Sequence, residues 1–483
     1  MTTFCVSLLL LFLGYALYGR LVERIFVIDP NRKTPCYTRT DGVDYIPLPT
    51  WKIFLIQFLN IAGTGPIFGA IQGILFGPSA YLWIVLGCIF GGAVHDYLSG
   101  MISLRKDGAS LPEIIGDELG QKARQVMRCF TIFMLILVGT VFVKTPADLL
   151  SLQTTGWGFA GTPAFWYIII FLYYIIATLL PIDKLIGRIY PVFGIALLIM
   201  AVGVMFGLFT QPGDIPEITS ALSNHHPQGN LPVFPALCIT IACGAISGFH
   251  GTQSPMMARC MTTERIGRKI FYGSMITEGF VALIWAAAAI KFADSLQVEG
   301  NTPYEKLYVA MNGNPAKMVT DICNTWMGRI GGILAILGVV AAPITTGDTA
   351  FRSSRMIAAD FLHFKQNKFY KRLLLALPLF VVSFALMFID FAVLWRYFGW
   401  VNQTLAVFTL WACTLWLARH QRNCYIALIP SLWMTLVCST YILLAPEGFQ
   451  LQHWIAYLIG GLVTATCLLA FIFWQRKNHL TRV

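Results

Sequence analysis

The stretch Leu231–Cys260, LPVFPALCITIACGAISGFHGTQSPMMARC, constrains the fold most. It is apolar and long enough to enter a bilayer. Its middle, Cys243-Gly244-Ala245-Ile246-Ser247-Gly248-Phe249-His250-Gly251-Thr252, resists an unbroken helix. Each glycine costs about 1 kcal/mol against alanine in a helix interior. Irregular backbone inside lipid is tolerated only where protein or a wet cavity satisfies its N–H and C=O groups. The segment is therefore expected to break near mid-membrane and line a cavity, as broken helices do at the binding sites of secondary transporters.

Only 12% of the 483 residues are charged and 57% are hydrophobic, against about 25% charged in a soluble domain. That excludes a soluble protein. Without runs of alternating strand-length segments, it leaves an all-α polytopic membrane protein. A net charge of +11 would suggest nucleic acid in a soluble chain. Here the basic residues sit in loops, where they set topology, and no nucleic-acid partner is expected. The twelve cysteines are scattered singly, with no CxxC and no metal-ligand spacing, so neither metal nor cofactor is expected. Phe4–Leu21 lacks a basic leader and a small-residue cleavage site and reads as a retained helix.

Thirteen hydrophobic segments follow, at roughly 3–20, 51–76, 79–104, 126–150, 163–181, 185–209, 232–258, 270–293, 330–351, 373–390, 392–418, 424–445 and 453–475. Twenty-seven of the 34 Lys and Arg fall in or next to loops after odd-numbered segments. This positive-inside loading places the N-terminus outside and the C-terminus in the cytoplasm. Within the cytoplasmic stretch 105–120, Ser110, Pro112 and Glu113 predict a short interfacial helix.

A second break is expected in segment 2, at Asn60-Ile61-Ala62-Gly63-Thr64-Gly65-Pro66, where Pro66 removes a helix donor. Segments 2 and 7 run in opposite directions, five segments apart. That predicts a five-plus-five inverted repeat with residues 51–209 as one half and 232–418 as the other. Residues 1–50 would be an N-terminal helix and cytoplasmic loop, and 419–483 peripheral helices.

Half-helix N-termini carry partial positive charge and free N–H groups suited to a carboxylate. Candidate substrate-binding residues are Gly63, Thr64, Gly65, Ser247, Gly248, Phe249, His250 and Gln253. The alternative is that these glycines only allow close helix packing. Leucine at Gly65 or Gly248 is expected to abolish uptake without loss of insertion. Segment 9 ends in Pro343-Ile344-Thr345-Thr346-Gly347-Asp348. Hydroxyls of Thr345 and Thr346 suit Na⁺ and Asp348 suits a proton, although Asp348 and Arg352 are spaced to pair on a helix. His95, Asp96 and Glu278 lie at membrane depth and are candidate coupling residues, as is Lys144 on depth alone. For each, a structural hydrogen bond is the alternative. No GxSxG, HExxH, Walker loop or GxGxxG occurs, so no enzyme is expected.

Several long stretches resemble the carbon starvation protein A family: Asp41–Pro47, Ala62–Pro66, Gly92–Tyr97, Ile102–Leu119, Ile239–His250, Pro343–Arg352 and Leu394–Leu405. The resemblance implies a bacterial inner-membrane protein linked to carbon starvation, in a family of uptake systems for peptides or for pyruvate by proton symport. It implies grouping with the amino acid–polyamine–organocation transporters, which share the LeuT-like inverted repeat. By position, Gly63–Pro66 and Gly244–His250 would be the unwound sites, with Thr345 and Thr346 near a cation site. The chain departs from longer members at Ile56 and Gln57, where they carry a His pair, at His95, where they carry Gln, and after His250.

The expected function is a secondary symporter for a small carboxylate-bearing nutrient, a short peptide or pyruvate, coupled to protons or sodium. An uncoupled channel and a membrane starvation sensor are the rivals. The absence of a stretch long enough for a signalling domain argues against the sensor.

Overall fold

The computed structural model describes residues 1–179, 186–219, 222–229, 231–364, 366, 368–389 and 391–480. Among the described residues the chain is all-helical, without strands. A helix satisfies its backbone groups within its own segment, which lipid demands. Among the described residues, nine helices are long and apolar enough to cross a membrane, or ten if one bent pair counts as a span. The segment ends expected at 181 and 185, and Lys184, Lys365 and Arg482 of the loop count, lie outside the described residues.

In order, α1 is Thr2–Phe26, and the bent pair is α2 (Thr50–Ala62) and α3 (Gly65–Phe76). Then come α4 (Ser79–Arg105), α5 (Leu111–Leu119), α6 (Gln121–Gln153), α7 (Pro163–Leu179) and α8 (Ile186–Thr210). Next come α9 (Val233–Thr240), α10 (Gly248–Ala258), α11 (Glu264–Ser295), α12 (Pro303–Met311), α13 (Pro315–Ile336) and α14 (Ala342–Phe361). Last are α15 (Phe369–Leu386), α16 (Phe391–Arg419), α17 (Tyr425–Leu444) and α18 (His453–Leu480). Three expected segments fall outside even the count of ten. They coincide with the shorter α7, with the separate short helices α9 and α10, and with α13–α14, which turns at Gly328 (φ +60°).

The helix α11 is central, with 89% of its most apolar window buried, against 28% for α1, 22% for α15 and 17% for α18. The loops gather into two layers. In one, Arg105 donates to Glu264 at 3.0 and 2.9 Å and to the Val27 carbonyl at 2.7 Å. Arg268 pairs with Glu23 there, and Arg419 with Glu118. In the other, the Thr2 and Thr3 N–H groups reach Glu217, the Asp214 N–H reaches Asp294, and Gln228 reaches the Tyr308 hydroxyl.

Both expected breaks are present. α2 and α3 meet at 43°, and Gly63 there has φ +46° and ψ −136°, a conformation open to glycine. Between α9 and α10 the chain leaves the helix, with Gly244 at φ +92°. The breaks abut each other. A Cβ on Gly65 would lie 2.4 Å from Cys243 Sγ, on Gly69 2.9 Å from the Thr240 carbonyl, and on Gly73 2.2 Å from Ile241. The Gly65/Gly69/Gly73 stripe thus lets α3 lie against the second break.

Candidate functional site

Four ionisable side chains from three helices form one buried string. His95 and Asp96 are neighbours on α4; His250 lies in the first turn of α10 and Glu278 on α11. His95 Nδ1 is 2.8 Å from Asp96 Oδ1, and His250 Nδ1 is 3.0 Å from Asp96 Oδ2. His250 Nε2 stands 3.5 Å from Glu278 Oε2. All four side chains have no exposed surface. An ionised carboxylate only accepts hydrogen bonds, so both rings present Nδ1–H to Asp96. His250 Nε2 then faces Glu278. The far ends of the string, His95 Nε2 and both Glu278 oxygens, have no hydrogen-bond partner among the described residues.

The second break is held by α16. Asn402 Oδ1 accepts from the Phe249 N–H at 2.7 Å and from the Ser247 hydroxyl at 3.1 Å. This caps the start of α10. The His250 N–H donates to the Ser247 carbonyl at 3.3 Å. Two of the N–H groups expected to receive a carboxylate at Gly248–Gly251 are therefore engaged by the protein. Gly248 is tightly enclosed, since a Cβ there would lie 2.3 Å from the Asn402 carbonyl and 2.4 Å from the Ala406 nitrogen. Phe249 belongs to an apolar cluster with Leu111, Val401 and Leu405. Gln253 Nε2 donates to the Thr252 hydroxyl at 3.0 Å, while its Oε1 is buried without a partner among the described residues.

At the first break, Gln57 and Asn60 lie on α2, and Thr64 follows its end, between Gly63 and the start of α3. All three are fully buried, and none of their side-chain polar atoms has a hydrogen-bond partner among the described residues. Buried polar groups are rarely left so, which makes this stretch suited to a polar ligand. Behind it, a Cβ on Gly63 would lie 3.1 Å from the Thr346 hydroxyl. That hydroxyl donates to the Ala342 carbonyl at 2.9 Å and lies 3.4 Å from the Leu59 carbonyl. The Thr345 hydroxyl donates to the Ala342 carbonyl at 2.8 Å. Asp348 Oδ2 lies 2.6 Å from the Tyr190 hydroxyl, itself 3.1 Å from the Thr345 carbonyl.

The expected coupling residues thus separate into two groups. His95, Asp96 and Glu278 join through His250, which the sequence suggested for substrate. Thr345, Thr346 and Asp348 sit with α8 and the first break. Lys144 stands apart from both: its ammonium donates to the carbonyls of Met387 and Ile389, at 3.0 and 2.8 Å, just beyond the end of α15. Sequence reasoning missed Asn60 and Tyr190 and gave no role to Gln57. Polar residues at 57 and 60 on an apolar helix were a readable signal; the Tyr190–Asp348 contact, across 158 positions, was not. Toward the loop layer of residues 313–315, a cavity of about 150 Å³ is lined by Phe68, Gln72, Thr145, Asp148, Asn314 and Trp395.

Comparison with known proteins gives this architecture a family. A 46% identical stretch of 340 residues, 61% of this chain and 91% of the other, is shared with a Haemophilus influenzae protein described as an uncharacterized membrane protein. The peptide transporter CstA of Escherichia coli is 25% identical over a 563-residue alignment covering 90% of this chain and 79% of that protein. The pyruvate/proton symporter BtsT of E. coli is 29% identical over 360 residues, 62% of this chain and 49% of BtsT. The family model for carbon starvation protein CstA matches residues 1–160, 152–327 and 300–441. The chain belongs to the carbon starvation protein CstA family.

Proposed function

We propose that this protein is a secondary active transporter that takes up a small carboxylate-bearing nutrient, a short peptide or pyruvate, together with protons. The observation that carries the coupling is the string His95–Asp96–His250–Glu278: four contiguous protonatable groups, fully buried, spanning both expected halves of the fold. Buried ionisable groups in a membrane protein are costly unless they serve transport or pairing. A histidine between two carboxylates can receive a proton at Nε2 from one side and release it after the ring turns.

The substrate would lie against Gln57, Asn60 and Thr64 and the break at Gly63–Gly65, with Ser247, Gly248, Phe249 and Gln253 completing the wall. The architecture we propose is the LeuT-like inverted repeat, residues 51–209 and 232–418, in a thirteen-span chain with peripheral helices at either end. It is supported by two abutting broken segments in opposite halves and by the two loop layers. The N-terminus would face outward and the C-terminus the cytoplasm, in a bacterial inner membrane, as the basic loops suggest. The names of the relatives, a peptide transporter and a pyruvate/proton symporter, favour transport over a sensor.

Sodium coupling is the second reading. It is favoured by the Thr346 hydroxyl and Leu59 carbonyl, 3.4 Å apart beside the first break. Uptake of radiolabelled pyruvate and of a dipeptide into proteoliposomes, under a proton gradient or a sodium gradient imposed separately, decides between the ions. Accumulation of either substrate under the proton gradient supports the proposal; accumulation under sodium alone moves the site to Thr345 and Thr346. No accumulation under either gradient overturns coupled transport.

A further inference from the structure

The second break also assembles a set of metal ligands. Cys243 Sγ, a ring nitrogen of His250 and a carboxylate oxygen of Glu278 lie within 4.8 Å of one another, all buried. His250 Nδ1 is engaged by Asp96, so Nε2 is the nitrogen that faces the other two. Neither that Nε2 nor the Glu278 oxygens have a hydrogen-bond partner among the described residues. Cys243 Sγ makes a long contact, 3.7 Å, with the Ser247 hydroxyl and also stands beside His250.

We propose that Cys243, His250 and Glu278 form a site for a zinc-class divalent ion, which blocks the coupling string when it binds. The ligand binding rests on this geometry alone; the blocking role rests on the transport reading above. Tetrahedral zinc has bonds of about 2.0–2.3 Å to N, O and S, which sets ligand atoms roughly 3.4 Å apart. The 3.5 Å between His250 Nε2 and Glu278 Oε2 already matches that edge. Thiolate, imidazole and carboxylate are the donors that zinc, cobalt(II) and related ions share. Asp96 supplies the outer carboxylate that fixes a metal-binding histidine in the needed tautomer, and His95 holds Asp96 from its other oxygen. On binding, the Cys243 thiol loses its proton to solvent as the sulfur–metal bond forms. The ion then occupies the Nε2 lone pair and the Glu278 carboxylate, both of which proton transfer requires. No spacing rule flags the set, because its members stand at 243, 250 and 278, on a break and two helices.

The test is titration of the full-length protein in nanodiscs with Co²⁺. The expected result is one Co²⁺ per chain, with the visible bands of a tetrahedral ion and a near-ultraviolet thiolate charge-transfer band that Zn²⁺ removes. In Cys243→Ser the thiolate band is lost and affinity falls at least about tenfold. The exposed Cys5 and Cys129 remain in that variant, so a band from them would persist. A wild-type protein without the thiolate band overturns the site, as does a band unchanged in Cys243→Ser. In proteoliposomes, Zn²⁺ should inhibit proton-driven uptake by the wild type and need at least tenfold higher concentration against the variant. Proton-driven uptake without a thiolate band removes the metal site and leaves the transport reading intact. A Cys243-dependent band without proton-driven uptake removes the blocking role and the transport reading, and leaves the metal site.

Discussion

Asp96→Asn interrupts the string at its centre with almost no change of shape. Asp96 now accepts from two buried imidazoles, at 2.8 and 3.0 Å. Asparagine offers one acceptor oxygen and one NH₂, so it keeps one of these bonds and turns a donor toward the other ring. The loss is one charge-assisted hydrogen bond, about 1.5–3 kcal/mol. Against the roughly 5–15 kcal/mol that holds a folded domain, the variant should fold and insert. Its effect on coupling should be complete, because the amide cannot carry a proton between the rings. With one proton carried per substrate in symport at zero membrane potential, a gradient of one pH unit is worth about 1.4 kcal/mol, or a tenfold accumulation ratio. In proteoliposomes clamped at zero membrane potential, the wild type should approach that ratio. Asp96→Asn should settle near one while still exchanging labelled for unlabelled substrate. A variant that still accumulates substrate tenfold would refute the string as the proton path.

Other substitutions separate structural from coupling residues. Lys144→Met should lower thermal stability by about 1–3 kcal/mol through loss of the carbonyl contacts beyond α15, yet leave the accumulation ratio unchanged; a lost ratio would return Lys144 to the coupling set. Asn402→Ala removes the cap on α10 and should cost about 0.5–2 kcal/mol, read as a lower melting temperature and slower uptake. Gly65→Ala should already destabilise by about 1–3 kcal/mol, since its Cβ meets Cys243; unchanged melting would contradict the contact between the breaks. Thr346→Val should leave proton-driven uptake intact, and a loss confined to sodium-dependent uptake would favour the second reading.

Both breaks were legible in the sequence, because glycine and proline act locally on the backbone. The Gly63 and Gly244 conformations follow from residue type. The role of the glycines was only half legible. Leucine at Gly65 or Gly248 was expected to abolish uptake with insertion intact, but both positions are in close contact with neighbouring segments, so such variants report packing as well as function. His95, Asp96 and Glu278 were suspect from depth, and His250 from its place at the second break. Their union was not legible, since Asp96 and His250 stand 154 positions apart and meet only when α10 packs along α4. Likewise the contact of Asn402 with the second break, 153 positions from Phe249, was not legible. Pairwise distances between helices depend on packing angles that helical periodicity alone does not encode.

The most direct test of proton coupling is substrate-evoked acidification. Liposomes carrying an internal pH dye, with no imposed proton or sodium gradient and with potassium and valinomycin holding the membrane potential at zero, are given pyruvate or a dipeptide while labelled substrate entry is followed in parallel. The account predicts that substrate entry acidifies the lumen in the wild type and that Asp96→Asn exchanges substrate without acidification. Entry of substrate into wild-type liposomes with no change in internal pH would contradict it.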